Sequence, residues 1–128
     1  MSAAKVIEEV QITNATIVRL SDSIIHLQWK RGVELEISDI DEMIKAFEEM
    51  SKGQLTKVIS EFSPFVTISS KAREYAAANS PDLIALAYVI HGLSQRIIIR
   101  FFIRIKKKKH PTKVCLSFDE AVNWIENY

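Results

Sequence analysis

The segment from residue 93 to residue 109 constrains the fold most, because it can be interpreted in two ways. It reads Leu-Ser-Gln-Arg-Ile-Ile-Ile-Arg-Phe-Phe-Ile-Arg-Ile and continues with four lysines. The isoleucines and phenylalanines favour a β-strand by propensity. Arg96, Arg100 and Arg104, however, recur every fourth residue and would share one face of a helix. We interpret the segment as a helix, because a helix here completes a repeating alternation of strands and helices.

The remaining chain carries the other elements of that alternation. Two short β-rich runs, 16–20 and 24–29, flank a Ser-Asp-Ser turn and predict a hairpin. Further strands are predicted over 33–37, 55–62, 83–90 and 112–116, and helices over 38–52, 69–78, 93–106 and from the capping box at 117–120 onward. The order β-β-(β)-α-β-α-β-α-β-α predicts a single α/β domain, a sandwich with a mixed β-sheet. Residues 1–14 are assigned to an irregular N-terminal extension of this domain.

Composition and charge exclude several classes of protein. Of the 128 residues, 48% are hydrophobic and 26% are charged, which suffices for one domain with one core. The net charge of +1 provides no overall field that would draw the chain to nucleic acid or to a membrane. The single cysteine, Cys115, has no partner for an intramolecular disulfide, and the N-terminus lacks the apolar core of a signal peptide. We therefore expect a cytoplasmic protein.

The sequence contains no recognisable catalytic or metal-binding motif. His26, His91 and His110 are widely separated, and none has a second ligand at metal spacing, so we interpret all three as ordinary surface or rim residues. Three glycines in the whole chain leave no glycine-rich phosphate loop. We expect neither an enzyme nor a cofactor or metal site.

Four stretches carry a resemblance to a known fold. They are Ser70-Lys-Ala-Arg-Glu-Tyr-Ala, Ile84-Ala-Leu-Ala-Tyr-Val-Ile, Ser94-Gln-Arg with Phe101-Phe102, and Pro111-Thr-Lys-Val through Phe118–Trp124. With the element order, they resemble the STAS-like fold of bacterial anti-sigma-factor antagonists. The chain looks most similar to a family of small bacterial proteins with that fold, mostly of unknown activity, which is related at fold level to CRAL-TRIO lipid-transfer domains. The resemblance implies a regulatory module that acts through protein contacts.

The resemblance also directs attention to two serines. In signalling STAS domains a phosphorylated Ser or Thr lies at the start of the helix after a strand, in a short turn that contains glycine. Here the equivalent loop, residues 63–70, is longer and lacks glycine. Ser69 and Ser70 still lie at a predicted helix N-terminus, where a phosphate is favoured, so we name them as candidate phosphorylation sites. The alternative is that one of them only caps the helix.

The helix over 93–106 is the main functional lead. Its apolar residues between positions 97 and 105 spread over roughly 240° of the helix circumference at about 100° per residue. A helix packed on one sheet needs a stripe of only a little over ~100°. The surplus predicts a surface that something covers, with its centre at Ile98, Ile99, Phe102 and Ile103 and a basic stripe of Arg96, Arg100, Arg104 and Lys107.

Four coverings of this surface remain open. A homodimer is the one we expect, because symmetric dimers are common. The surface could instead line a pocket for an apolar small molecule, lie on an anionic membrane, or be covered by loops and the terminal helix of the same chain. Membrane contact is disfavoured, because the same face must also pack on the sheet. No recognition motif accompanies the basic run, so no nucleic-acid partner is expected. The predicted function is a non-enzymatic interaction module; the alternative is a carrier with an apolar pocket next to this helix.

Overall fold

The computed structural model of the protein describes residues 8–105 and 110–128, and of residues 98 and 101–105 it describes only the backbone. Within these residues the strands are β1 (Glu8–Ile12), β2 (Ala15–Arg19), β3 (Ile24–Trp29), β4 (Glu34–Leu35), β5 (Lys57–Phe62), β6 (Thr67–Ile68), β7 (Ala85–Val89) and β8 (Thr112–Cys115). The helices are α1 (Ile37–Ser51), α2 (Ser70–Asn79), α3 (Leu93–Ile105) and α4 (Phe118–Glu126). The predicted α/β class is therefore confirmed, and the segment after residue 93 is a helix.

The main sheet is mixed and has the strand order β1-β2-β3-β5-β7-β8. The first three strands pair antiparallel, as short hairpin connections require. The pairs β3–β5, β5–β7 and β7–β8 are parallel, and each successive strand is reached through a helix. This arrangement places β5 in the middle of the parallel half, with both of its faces covered.

Alternate residues of the central strands face two separate cores. Val58 and Phe62 of β5 belong to the larger core, which α1 and α2 cover. Ile59, between them, belongs to a smaller core that also contains residues of β7 and β8. Helix α4 covers this core. Because side chains alternate along a strand, neighbouring residues of β5 serve different cores.

Three local expectations are corrected by the structure. Residues 8–12 are not irregular: they form β1, which pairs with β2 and lays Val10 and Ile12 against the larger core. The segment after Gly32 does not extend the main sheet, because β4 pairs with β6 in a separate two-stranded sheet. Helix α1 begins at Ile37 instead of Ser38, since the Asp39 carboxylate accepts a hydrogen bond from the backbone N–H of Glu36 at 2.8 Å.

Two predicted N-caps are confirmed. Ser69 Oγ accepts a hydrogen bond from the N–H of Ala72 at 3.2 Å, and Ser117 Oγ accepts one from the N–H of Glu120 at 3.1 Å. Across the part of the chain that the structure describes, no helix combines the length and the apolar character needed to cross a bilayer.

Candidate functional site

One carboxylate bridges two imidazoles on the side of the sheet that α4 covers. His26 Nε2, from β3, lies 2.9 Å from Oε1 of Glu61 on β5. His91 Nε2, just after β7, lies 2.9 Å from Oε2 of the same residue. The side chains of His26 and Glu61 are only 12% and 10% exposed, whereas that of His91 is 31% exposed. We call Glu61, His26 and His91 the His–Glu–His cluster.

Strand register brings the cluster together. β3 and β5 are parallel with Ile59 opposite His26 and Gln28 opposite Glu61, so His26 and Glu61 lie diagonally on one face. The ring of Phe118, at the start of α4, packs against the His26 ring with 4.6 Å between centroids. This contact fixes the imidazole beneath the helix.

The charge state of Glu61 follows from its two partners. The hydrogen bond from His26 holds the pKa of Glu61 below its ordinary value, and the bond from His91 acts in the same direction against the opposing effect of burial. Glu61 is therefore ionised at neutral pH. An ionised carboxylate only accepts hydrogen bonds, so each imidazole donates from Nε2.

The cluster links β3, β5 and the segment after β7 through hydrogen bonds. Among the described side chains, no cysteine or serine hydrogen-bonds to either imidazole ring. The described residues also contain no group of three or more His, Cys, Asp or Glu placed to hold a metal ion. The interpretation of the histidines as ordinary surface or rim residues is wrong for the largely buried His26 and missed the shared partner of His91. The sequence did contain one signal for this site: Glu61 is the single carboxylate in the mostly apolar segment Val58–Phe62.

A buried glutamine fixes the adjoining loop. Gln95, on the first turn of α3, is 3% exposed and donates from Nε2 to the carbonyls of Ser63 at 2.8 Å and Val66 at 3.3 Å. Its Oε1 accepts from the backbone N–H of His91 at 2.8 Å. The loop where the resemblance directed the search for a phosphorylation site is thus tied to α3.

The two candidate phosphorylation sites lie at the start of α2. Ser69 is the N-cap described above, and Ser70 Oγ accepts a hydrogen bond from Nη2 of Arg73 at 3.1 Å. Both hydroxyls therefore have local structural roles. Their modification stays a prediction.

The opposite face of the sheet borders an apolar cavity of about 130 Å³. Side chains of β3, β5 and β7 form its floor, and side chains of α1 and α2 form its roof. Near the amino ends of β7 and β8 the lining includes the exposed Ser80 and the half-buried Pro81, His110 and Thr112. The cavity therefore approaches solvent at this edge.

Polar side chains of the cavity fall into two groups. At the edge, Ser80 donates to the carbonyl of Ala76, and Thr112 Oγ1 donates to the carbonyl of His110 at 3.3 Å. In the interior, Ser60 of β5 and Tyr88 of β7 are register partners that both line the cavity. Burial raises the pKa of Tyr88 to about 12, so its hydroxyl stays protonated.

The predicted surface of α3 is described only in part. Ile99 is 1% exposed and packs into the larger core, so in the isolated chain it is a core residue and not a free surface residue. Arg96 and Arg100 are exposed. Leu93 and Ile97, one turn apart, are 76% and 65% exposed. Beyond the described side chains lie Ile98, Phe102, Ile103, Arg104 and Lys107.

Comparison with known proteins identifies a family. Residues 18–128 match the family described as "Domain of unknown function (DUF7793)", and the chain belongs to that family. The match includes the His–Glu–His cluster and the Ser60–Tyr88 pair. No curated protein and no solved structure shows a significant match.

Proposed function

We propose that this member of the DUF7793 family is a non-enzymatic, cytoplasmic binding domain that holds a small, mostly apolar molecule between its sheet and helices α1 and α2. The cavity on that face is the observation that carries the proposal. Apolar cavities of about 150 Å³ bind molecules the size of benzene. A cavity of about 130 Å³ suits a ligand of similar size.

The energetics favour an occupant. An unfilled apolar cavity costs about 24 cal/mol per Å³, which is roughly 3 kcal/mol for this volume. A ligand that restores the missing van der Waals contacts offsets that cost. The edge near Ser80 and His110 offers an entry path, since these residues are not fully buried.

The character of the lining supports binding without catalysis. Among the described residues that border the cavity there is no carboxylate, lysine, arginine or cysteine. The His–Glu–His cluster, the best candidate for acid–base chemistry, lies on the other face of the sheet. The free, buried Cys115 is compatible with a reducing cytoplasm.

The proposal is tested by filling the cavity. Ala76 of α2 is 9% exposed and lines the cavity, whereas Ala78 of the same helix is exposed. We expect Ala76→Leu to raise the free energy of unfolding by about 1 kcal/mol and to abolish the thermal stabilisation that benzene gives the unmodified protein. Ala78→Leu is the matched control and should leave the benzene response unchanged. The proposal fails if benzene does not stabilise the unmodified protein, or stabilises both variants equally.

A second candidate function, homodimerisation through α3, is favoured by the exposed side chains of Leu93 and Ile97. They lie on one side of the helix, beside the exposed Arg96 and Arg100, and arginine is enriched in protein interfaces. A self-complementary patch of this kind suits a twofold dimer.

Native mass spectrometry tests this second candidate and also reports any retained ligand. We expect the unmodified protein to be a dimer and the double variant Leu93→Asp/Ile97→Asp to be a folded monomer. Leu55→Asp is the control, because Leu55 is 60% exposed at a site before β5. A monomeric unmodified protein, or a double variant that stays dimeric, contradicts this candidate.

A further inference from the structure

We infer that the molecule in the cavity is neutral and carries one oxygen acceptor, a carbonyl or a hydroxyl, on a ring-sized apolar body, and that Ser60 and Tyr88 bind this oxygen. The inference rests on the proposed function, since it names the ligand class of the same cavity. Its basis is that both residues line the cavity and that neither hydroxyl makes a hydrogen bond to a described residue.

The first step is that the two residues are neighbours in the sheet. Ser60 and Tyr88 stand directly opposite each other on the parallel strands β5 and β7, whose backbones lie about 4.8 Å apart. Both side chains line the cavity, and Ser60 is 7% exposed. The Phe62 and Tyr88 rings stack at 6.2 Å between centroids, which holds the phenol against the floor.

The second step is that neither hydroxyl is used by the fold. No hydrogen bond joins Ser60 Oγ or the Tyr88 hydroxyl to another described residue, in contrast to Ser80 and Thr112 at the edge of the same cavity. Both residues line the cavity, so whatever fills the cavity, water or a ligand, supplies the hydrogen-bond partners of their hydroxyls.

The third step is the chemistry of that partner. Serine and tyrosine hydroxyls can both donate, and a carbonyl or hydroxyl oxygen has two lone pairs, so one such oxygen can accept from both hydroxyls. A charged ligand is excluded by cost, because the described lining offers no opposite charge to an ion in this apolar space. The volume limits the body to about the size of one six-membered ring.

Two probes of nearly the same shape distinguish hydrogen bonding to the ligand oxygen from apolar packing of its ring. Cyclohexanone and methylenecyclohexane have nearly the same shape and differ in the carbonyl oxygen. In NMR titrations of backbone amides, we expect Tyr88→Phe and Ser60→Ala each to weaken cyclohexanone binding about tenfold. Both variants should leave the Kd of methylenecyclohexane within about twofold.

Thr112→Val is the control for this experiment. It also removes a hydroxyl from the lining, but one that already donates to the carbonyl of His110. It should not change the ratio of the two dissociation constants.

The outcomes distinguish a failure of the Ser60–Tyr88 inference from a failure of the proposed function. If methylenecyclohexane binds and the variants leave the cyclohexanone Kd unchanged, the cavity binds ligands but the Ser60–Tyr88 inference is wrong. If neither probe binds or displaces a ligand retained by the purified protein, the proposed function fails and the inference fails with it. A loss confined to cyclohexanone in both variants supports the inference.

Discussion

Two neighbouring polar residues of β5, Ser60 and Glu61, face opposite sides of the sheet and differ in their hydrogen bonding. Glu61 faces α4 and has both carboxylate oxygens paired with imidazoles. Ser60 faces the cavity and, together with Tyr88, has no hydrogen-bond partner among the described residues. A polar group that is satisfied within the chain supports the fold, whereas one left unsatisfied in a cavity is available to a ligand. Glu61 therefore supports the fold, whereas Ser60 and Tyr88 carry the hydroxyls that we propose bind a ligand.

The polar groups on the two faces therefore contribute differently to the free energy of unfolding. A hydrogen bond to a charged group contributes about 1.5–3 kcal/mol to stability. The hydroxyls of Ser60 and Tyr88 make no hydrogen bond to a described residue, so their removal breaks none within the described chain. Without ligand, substitutions in the His–Glu–His cluster should therefore lower the free energy of unfolding, whereas substitutions of the two cavity hydroxyls should not lower it.

The largest effect is expected from Glu61→Ala. Removal of the carboxylate leaves the Nε2–H groups of the largely buried His26 and the partly exposed His91 without this acceptor, so we expect a loss of about 3 kcal/mol in the free energy of unfolding. Urea denaturation monitored by circular dichroism measures this loss. Glu61→Gln is the matched variant, because an amide accepts from one imidazole and keeps the side-chain volume, and it should lose less. A loss below about 1 kcal/mol for Glu61→Ala would mean that the cluster does not support the fold.

A pH effect of intermediate size is expected from the same residue. Because the His26 hydrogen bond holds the pKa of Glu61 below its ordinary value of 4.5, the unfolded chain takes up the proton first as the pH falls. The contribution of Glu61 is therefore complete above that ordinary value and is lost as the pH falls through the lowered pKa. The free energy of unfolding should decrease more steeply between about pH 5 and pH 3 in the unmodified protein than in Glu61→Gln. Parallel pH profiles would contradict the assignment.

The smallest effect is expected on the cavity face. Without ligand, Tyr88→Phe and Ser60→Ala should leave the free energy of unfolding unchanged within about 0.5 kcal/mol or raise it, because each removes an unpaired hydroxyl. Thermal denaturation of protein stripped of bound molecules measures this. A loss comparable to that of Glu61→Ala would show that the hydroxyls serve the fold, and the contrast between the two faces would disappear.

Local chemistry made much of the fold predictable. The caps at Ser69 and Ser117 are confirmed, because an N-cap depends on residues within one turn of each other. The buried strand β7 was predicted from a continuous apolar run. β1 was missed, because Glu8–Ile12 becomes a recognisable strand only when paired with β2. The start of α1 was misplaced by one residue, because the Asp39 carboxylate accepts a hydrogen bond from the backbone N–H of Glu36.

The sites were less predictable than the elements that hold them. A helix with a wide apolar arc was expected to present Ile99 to a partner, yet that side chain is buried in the chain's own core. Helical periodicity identifies a face but not its neighbours, which depend on how the helix docks. The apolar cavity was an alternative expectation beside α3, and the described lining places it under α1 and α2.

The amino-acid order alone is enough to assign the alternation of strands and helices and the residues that cap them, because these depend on contacts between near neighbours. The two side-chain pairings described above depend on strand register. Glu61 is 35 residues from His26 and 30 from His91, and Ser60 meets Tyr88 only through the β5–β7 ladder. No local pattern encodes such pairs, because a shift of one residue in register would turn every one of these side chains to the other face of the sheet.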